Sequence, residues 1–449
     1  MTAMHRIIRL LPRAAGLLIT FGVLGLALAL SACAGRPPAA TPGPPTPTPT
    51  LAPLQLPAPA GPLTLTFWED DEDMAGVLLD ELTATFMQAN PGVTITRTHF
   101  SYDDLRNQVR NEARAGRGPD LVRARGEFAG PFSELGIVRP IEELYDKDFL
   151  AQYFSGALAG VTVRGRPWAL PENYGSHLLL LQNRGYISDT LHVTATAPVD
   201  TDAWLAQLGR LTDPISATYG LVYPLAESYW LIPWLSGHGG WPLDAADRPA
   251  LDTAEMVAAL TFVRDLKIAG VVPQQASYDR AFSLFSQGRA AYIIDGAWNL
   301  SRYQGLGLDV AVVLLPRVSS TQLLPAPMAT GRYWFISANT QDERLAAAVR
   351  FAEWMTSDEA QEQWLLKLGR LPSHVLTAQN PAITDDPQRA AIMAQLRLAR
   401  GVPAALEMAC AWQGIDSQLA AVIAGEVTPE DGAAAMQAVA ETCVADMTP

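Results

Sequence analysis

"LTLTFWEDDEDMAGVLLDELTATFMQANPGVTIT", residues 63–96, decides the fold. It opens on an alternation of apolar and polar residues up to Trp68, the period of a half-buried strand. From Met74 to Asn90 the apolar residues recur at helical spacing, and Asn90-Pro91-Gly92 stops the helix. "VTITRTHF" (93–100) predicts a second strand, "YDDLRNQVRNEARAG" (102–116) a second helix, and "DLVRARG" (120–126) a third strand after a "GRGPD" turn. Strand, helix, strand, helix, strand is the signature of an α/β layer with a mainly parallel sheet. The acidic run Glu69 to Asp73 reads as the solvated start of the first helix, where carboxylates suit the positive end of the helix dipole.

The pattern then repeats with interruptions. "RPWALPENYGSHLLLLQNR" (166–184) places a strand-like run, Leu178 to Leu181, behind a Pro-Glu-Asn-Tyr-Gly loop. "DTAEMVAALTFVRDLKIAG" (252–270) is a helix, with Asp252 and Glu255 as a variant capping box and Gly270 as its stop. "AAYIID" and "DVAVVLLP" are strands, and "TSDEAQEQWLLKLG" is a helix capped by Thr356 or Ser357. The tail from Asp416 to Val444 reads as two helices around "GEVTPEDG". No repeat of solenoid length occurs.

The chain has 449 residues, enough for two or more domains, and a formal net charge of -14. With no basic run beyond Arg13, that balance argues against nucleic acid as a partner. Arg6, Arg9 and Arg13 precede an uncharged apolar run from Ala14 to Leu30 that ends in "LSACAG". A positive segment, an apolar segment and small residues before a cut describe a secretory signal peptide over residues 1–32. Leu30-Ser31-Ala32-Cys33 resembles the bacterial lipobox, which implies that Cys33 carries lipid and begins the mature chain. A single membrane-spanning helix is the alternative, for which the run is slightly short. Residues 33–62 are rich in proline and threonine and form an extended tether.

Of the three cysteines, lipidation uses one and leaves Cys410 and Cys443. In an oxidising compartment a disulfide between them is expected, with buried free thiols as the alternative. No histidines stand at metal-ligand spacing to them. The six histidines (His5, His99, His177, His192, His238 and His374) include no HExxH pair. There is no GxSxG elbow, P-loop or GxGxxG after a strand. "SGHGG" reads as a glycine turn rather than an oxyanion loop. No catalytic residue, metal or cofactor is expected.

Several segments, taken in order, resemble bacterial extracellular solute-binding proteins of ABC importers, in particular the family of maltose-binding protein and other sugar binders. They are the opening stretch, "GRGPDLVRARGEFAGPFSELGIVRPI" (116–141), "FSQGRAAYIIDGAWNL" (285–300), "AVRFAEWMTSDEAQEQW" (348–364) and "AWQGIDSQLAAVIAGEVTPEDGAAAMQAVAE" (411–441). The resemblance runs from about residue 63 to 445 and rests on the order and spacing of these phrases. It implies an α/β fold of the type II periplasmic-binding-protein kind, with two α/β lobes, a hinge and a ligand cleft between them. The implied lobes are discontinuous: residues 63–171 and 316–356 make lobe 1, and residues 172–315 and 357–449 make lobe 2.

Carried over residue by residue, the resemblance implies ligand contacts at Trp68, Glu72, Glu127, Tyr174, Glu227, Tyr229, Trp230, Trp298, Arg332, Trp334 and Trp412. Flat aromatic rings cover the CH face of a sugar while carboxylates accept from its hydroxyls. Trp204, Trp354 and Trp364, on amphipathic helices, read as core. In "LAESYWLIPWLSGHGGW" (225–241) the first aromatics fit a cleft wall, Trp234 is core and Trp241 covers the lobe surface. Two departures bear on the solute's charge. Where maltose binders carry an aromatic, this chain has "RARG", so Arg123 and Arg125 pair with a carboxylate or phosphate on the ligand or are plain surface charges. Arg332 stands near where the family often has glycine or an aromatic.

The reading is a monomeric, lipid-anchored, extracytoplasmic binding protein. It captures a small solute, most readily a carbohydrate, and delivers it to an ABC permease. The alternatives are a sensor module reporting to a membrane receptor, or a secreted carbohydrate-active hydrolase.

Overall fold

In the computed structural model, residues 61–71 and 73–447 are described. The expected signal peptide, the Cys33 expected to carry lipid, the expected tether up to residue 60 and Glu72 lie outside them. Among the described residues no helix is long and apolar enough to cross a membrane.

The opening stretch forms strand β1 (Leu63–Glu69), helix α1 (Asp73–Ala89) and strand β2 (Val93–His99), with β2 parallel to β1. Along β1 the residues Leu65 and Phe67 point into one core, where α1 covers them with Leu78, Leu79, Leu82 and Phe86. Asn90 ends α1 by donating from its side chain to the Phe86 carbonyl at 2.8 Å. Helix α2 (Tyr102–Arg114) is capped by the Ser101 hydroxyl and leads to β3 (Leu121–Arg125), parallel to β1 on its other side.

The "PENYG" segment is not a loop. It is part of a single 14-residue strand, β4 (Leu170–Asn183). Beyond it come β5 (Tyr219–Val222), helix α3 (Ser228–Gly237), helix α4 (Ala254–Ile268), β6 (Ala290–Gly296), β7 (Val310–Val313) and β8 (Met328–Ile336). The cap of α4 is Thr253, whose side chain accepts from the Met256 amide, rather than the expected Asp252. A two-residue strand, β9 (Arg400–Gly401), completes a nine-stranded sheet: seven strands follow the path β2-β1-β3-β8-β4-β6-β5, and off it β9 pairs with β8 and β7 with β4.

Strand β4 is shared. Leu170 to His177 pair antiparallel with β8, whereas Leu178 to Asn183 pair antiparallel with β6 and β7. Two register irregularities interrupt the β4–β8 pairing, at Thr330/Gly331 and Arg332/Tyr333. Gly331 is required there, because a Cβ would lie 1.8 Å from the Asn173 carbonyl oxygen. The pairing therefore kinks where the sheet passes from one half to the other.

Helices α5 (Asp342–Met355) and α6 (Asp358–Leu368, capped by Ser357) pack Phe351, Trp354 and Trp364 into the same core as β1. The chain thus returns to the first half at β8 and stays there through Leu368, not only until Thr356. Helix α7 (Pro387–Leu398) lies near the junction of the two halves, with Ile392 in the β6 core. Helices α8 (Glu407–Ala424) and α9 (Pro429–Met447) share the second half's core with α3 and α4, including Trp204 and Trp234. α8 begins earlier than the Asp416 expected. A disulfide joins Cys410 of α8 to Cys443 of α9.

His177 sits at the midpoint of β4, fully buried, with Nδ1 2.7 Å from the Gly175 carbonyl. Burial pulls its imidazole down from 6.5 to about 4, against the hydrogen bonds to Gly175 and Ile392. Because the fold holds this group neutral, its contribution is complete above pH 6.5 and is lost as pH falls towards 4. The expected loss reaches about 1.4 kcal/mol per pH unit in that window. A melting series from pH 7.5 to 5 should therefore fall more steeply for the parent than for His177→Gln. His238 and His374, also pushed down by burial, leave a residual slope in both.

Candidate functional site

The acidic run after β1 is turned into the protein. Glu69 is fully buried and Asp71 nearly so. Three guanidiniums converge on the Asp71 carboxylate: Arg123 at 2.6 Å, Arg370 at 2.7 Å and Arg332 at 2.8 Å. Arg332 also holds Asp70. Arg123, itself fully buried, forks onto Glu172 of β4 with two bonds of 2.5 Å. Glu172 further accepts from Trp334 Nε1 (2.8 Å) and Asn173 Nδ2 (3.0 Å). Glu69 serves Arg97 at 2.8 Å and accepts from the Asp71 amide at 2.5 Å. Burial alone would raise the pKa of Asp71, but the arginines outweigh it and hold the carboxyl well below its ordinary range.

Two expectations are corrected by this cluster. The run Glu69 to Asp71 is not solvated, and Arg123 is neither a surface charge nor free for a ligand. The reason is mutual: a buried charge persists only beside its counter-charge, and folding brings these partners together from β1, β3, β4, β8 and the turn after α6.

Beside the cluster opens a cavity of about 990 Å³. Asp71, Arg125 and Arg332 line it from the first half, and Asn173, Gly175 and Ser176 of β4 form its floor. Trp298, Ser301 and Gln304, from the turn and short helix after β6, face them from the second half.

Trp298 is 49% exposed, a large outlay of apolar surface for an ordered side chain. Its ring folds back over Gly296, where a Cβ would come within 2.0 Å of the indole. Its Nε1 donates to the Tyr278 hydroxyl at 3.3 Å, which also receives Asn299 Nδ2 at 2.5 Å. Tyr278 donates to buried Asp295 at 3.3 Å, and Asn299 and Tyr303 donate to the same carboxylate. Sequence reasoning missed this support. Its only trace was Asp295-Gly296 standing just before Trp298.

The other expected residues divide. Tyr229 is half-buried, with its hydroxyl on the Met328 carbonyl at 2.9 Å. Trp412 is half-buried on the same second-half core. Glu227 is exposed at the start of α3, and its pKa is raised by partial burial and by Asp416 and Asp279. Glu127 is exposed and accepts from the Tyr102 hydroxyl at 3.2 Å. Trp68 packs half-buried on Phe100 at 5.0 Å. Trp241 lies under the Arg400 guanidinium at 3.9 Å.

Three expected contacts are structural instead. Trp230 is buried, donates to the Ile294 carbonyl at 2.9 Å and backs Tyr229 and Tyr278. Trp334 is fully buried in the first core. Tyr174 is fully buried among Ala157, Ala329, Leu365 and Leu396. Asn173 and Gly175, its neighbours on the strand, line the cavity while Tyr174 turns from it; the alternation breaks at the bulge, where Gly175 and Ser176 both line it.

Among the described residues no three His, Cys, Asp or Glu side chains gather as a metal site. His238 of "SGHGG" is bonded through Nδ1 to the Trp234 carbonyl at 2.8 Å. What the cavity offers is an indole face, guanidiniums and amide and hydroxyl groups, which can bind and orient a polar solute. A two-part α/β sheet with such a cavity at its crossing strands is the architecture of a binding protein.

Comparison with known sequences places this more narrowly. Residues 81–391 match the family model of bacterial extracellular solute-binding proteins, and the chain belongs to that family. It is 24% identical to the maltotriose-binding protein of Pyrococcus abyssi, over 81% of this chain and 78% of that one. It is 23% identical to the galactooligosaccharide-binding protein of Bacillus subtilis, over 84% and 88%. Among solved structures, the maltose/maltodextrin-binding domain from Bdellovibrio bacteriovorus bound to maltotriose is 25% identical, with a TM-score of 0.63 over 85% of this chain and 100% of that one. A Staphylococcus aureus extracellular solute-binding protein in complex with maltose, 20% identical, shares the fold with a TM-score of 0.77 over 86% and 99%.

Asp71→Asn leaves three arginines short of a charge while keeping the side-chain volume. It should lower unfolding free energy by about 3–5 kcal/mol in chemical denaturation, whereas Asp80→Asn, at the exposed end of the Arg97 pair, should cost under about 1 kcal/mol.

Proposed function

We propose that this protein captures a carbohydrate outside the cell and hands it to an ABC permease without altering it. On this reading a lipid on Cys33 holds it at the membrane, and residues 33–62 are the tether that lets it reach the permease. The two halves close on the solute about β4 and β8.

The observation that carries the reading is the propped, half-exposed indole of Trp298 facing a polar wall across the cavity. An aromatic face opposite hydrogen-bonding groups matches a sugar ring, apolar on its face and hydroxylated at its rim. The names of the relatives, maltotriose-binding and galactooligosaccharide-binding, agree with it. Tyr229, Trp412, Glu127 and Glu227 are proposed as further contacts around the same opening.

A saccharide panel in a thermal-shift assay tests this. A true ligand at 100 times its dissociation constant should stabilise by about 2.7 kcal/mol. Trp298→Ala should weaken that ligand by roughly 2 kcal/mol, about thirtyfold, with Trp298→Phe intermediate. If peptides or inorganic anions stabilise the protein and no saccharide does, the carbohydrate reading is wrong. Turnover of a bound oligosaccharide would overturn the claim that the solute leaves unaltered.

A further inference from the structure

Arg125 and Arg332 are direct cross-strand partners in the antiparallel pairing of β3 with β8. Like charges placed opposite each other destabilise a strand pair. Both side chains line the cavity. Arg332 is balanced by Asp70 and Asp71, but Asp71 is already divided among three guanidiniums. Arg125 has no carboxylate within ion-pair distance among the described residues; its one partner there is the Tyr102 ring, 4.9 Å below the guanidinium. Glu127, two positions along the chain, takes the Tyr102 hydroxyl instead.

The charge balance is therefore uneven. Among the described residues, Arg123, Arg125, Arg332 and Arg370 are four guanidiniums facing three carboxylates, Asp70, Asp71 and Glu172. Glu69 does not make up the difference, because its near partners are Arg97 and His99. Arg389, elsewhere on the cavity wall, stands with its own carboxylate, Asp386. In a chain of net charge -14, the wall of this cavity thus carries one cation more than the carboxylates that face it among the described residues.

A guanidinium that sits over a tyrosine ring spends none of its N–H donors on a carboxylate, and its fork of donors is matched to an oxyanion. Trp298 supplies a ring face in the same cavity, and Asn173, Ser176 and Gln304 supply groups for hydroxyls. We propose that the solute is an acidic saccharide, its ring on Trp298 and its oxyanion received by Arg125 with Arg332 beside it. This rests on the carbohydrate reading above and names the class of sugar. A uronate carboxylate and a sugar phosphate present the same chemistry to the fork.

The test is calorimetric titration of the purified protein with matched saccharides: neutral oligosaccharides, the corresponding uronates, and sugar phosphates. One of the two acidic series should bind on the order of 10- to 100-fold more tightly than its neutral counterpart. Which series does so distinguishes carboxylate from phosphate. The preference should shrink as salt rises and vanish in Arg125→Gln. That variant should melt, unliganded, no lower than the parent, since it relieves the cross-strand repulsion. Equal binding of neutral and acidic sugars, or an acidic preference that survives Arg125→Gln, overturns the inference and leaves the carbohydrate reading standing. Binding of no saccharide at all overturns both.

Discussion

The Arg123 guanidinium is the constraint on which the cavity wall depends. It is fully buried, so its charge must be met on the spot, and Glu172 of β4 and Asp71 of the turn after β1 meet it. That single requirement fixes the end of β1 against β3 and the start of β4. Trp334 joins from β8 through Glu172, and Arg370 joins from the turn after α6 through Asp71. Trp364 fills the space between, with the Arg123 and Arg370 guanidiniums 5.0 and 4.8 Å from its ring. Such a cluster adds little net stability over a well-packed apolar core, yet it is costly to break. Its value here is positional, since it holds five chain segments at the base of the cavity.

Topology explains why the cavity lies where it does. Strands β1 and β3 are parallel and end on the same side, so Asp71 and Arg125 emerge together at their carboxyl ends. Open α/β sheets place ligands in the crevice at those ends. Strand β4 then carries the floor across to the second half, where β6 ends in Gly296 and turns at once into Trp298. Glycine is used at the two points of closest approach: Gly331 where β8 meets the β4 backbone, and Gly296 where the indole folds over its own strand.

Much of the fold was legible because it is written in short-range periodicity. Residues 63–96 alone gave strand, helix and strand with sound boundaries. The cap of α4 and the start of α8 were misplaced locally, but the larger failures have one cause: long-range pairing overrode a local signal. "PENYG" has turn-forming residues, but it pairs along β8 and is held by Glu172. Glu69 to Asp71 look like a solvated run until arginines far along the chain reach them. For the site, residue type was a better guide than orientation. Trp298 and Arg332 do line one cavity, whereas Tyr174 and Trp334 are turned into packing by the strand pleat and the bulges beside them. The props of Trp298 could not be seen, because Tyr278 and Tyr303 come from separate helices and converge on Asp295 only in three dimensions.

The two walls are built on different physics, and this bears on how they could act together. The first wall is a dense ionic cluster whose members are held from several directions, so it cannot adjust without breaking pairs. The second presents an indole whose position is set by a short chain of hydroxyl and amide donors ending on one buried carboxylate. Hydrogen bonds between neutral groups are weaker than charge-assisted ones, so the indole is held less firmly than a guanidinium sharing a carboxylate with two others. On the proposed reading, the first wall is the one suited to select charge and the second the one suited to accommodate the ring. Arg125 is the exception on its wall, for it leans on an aromatic ring and is bound to no carboxylate among the described residues. On the proposal above, it is the member of that wall that receives the solute's oxyanion.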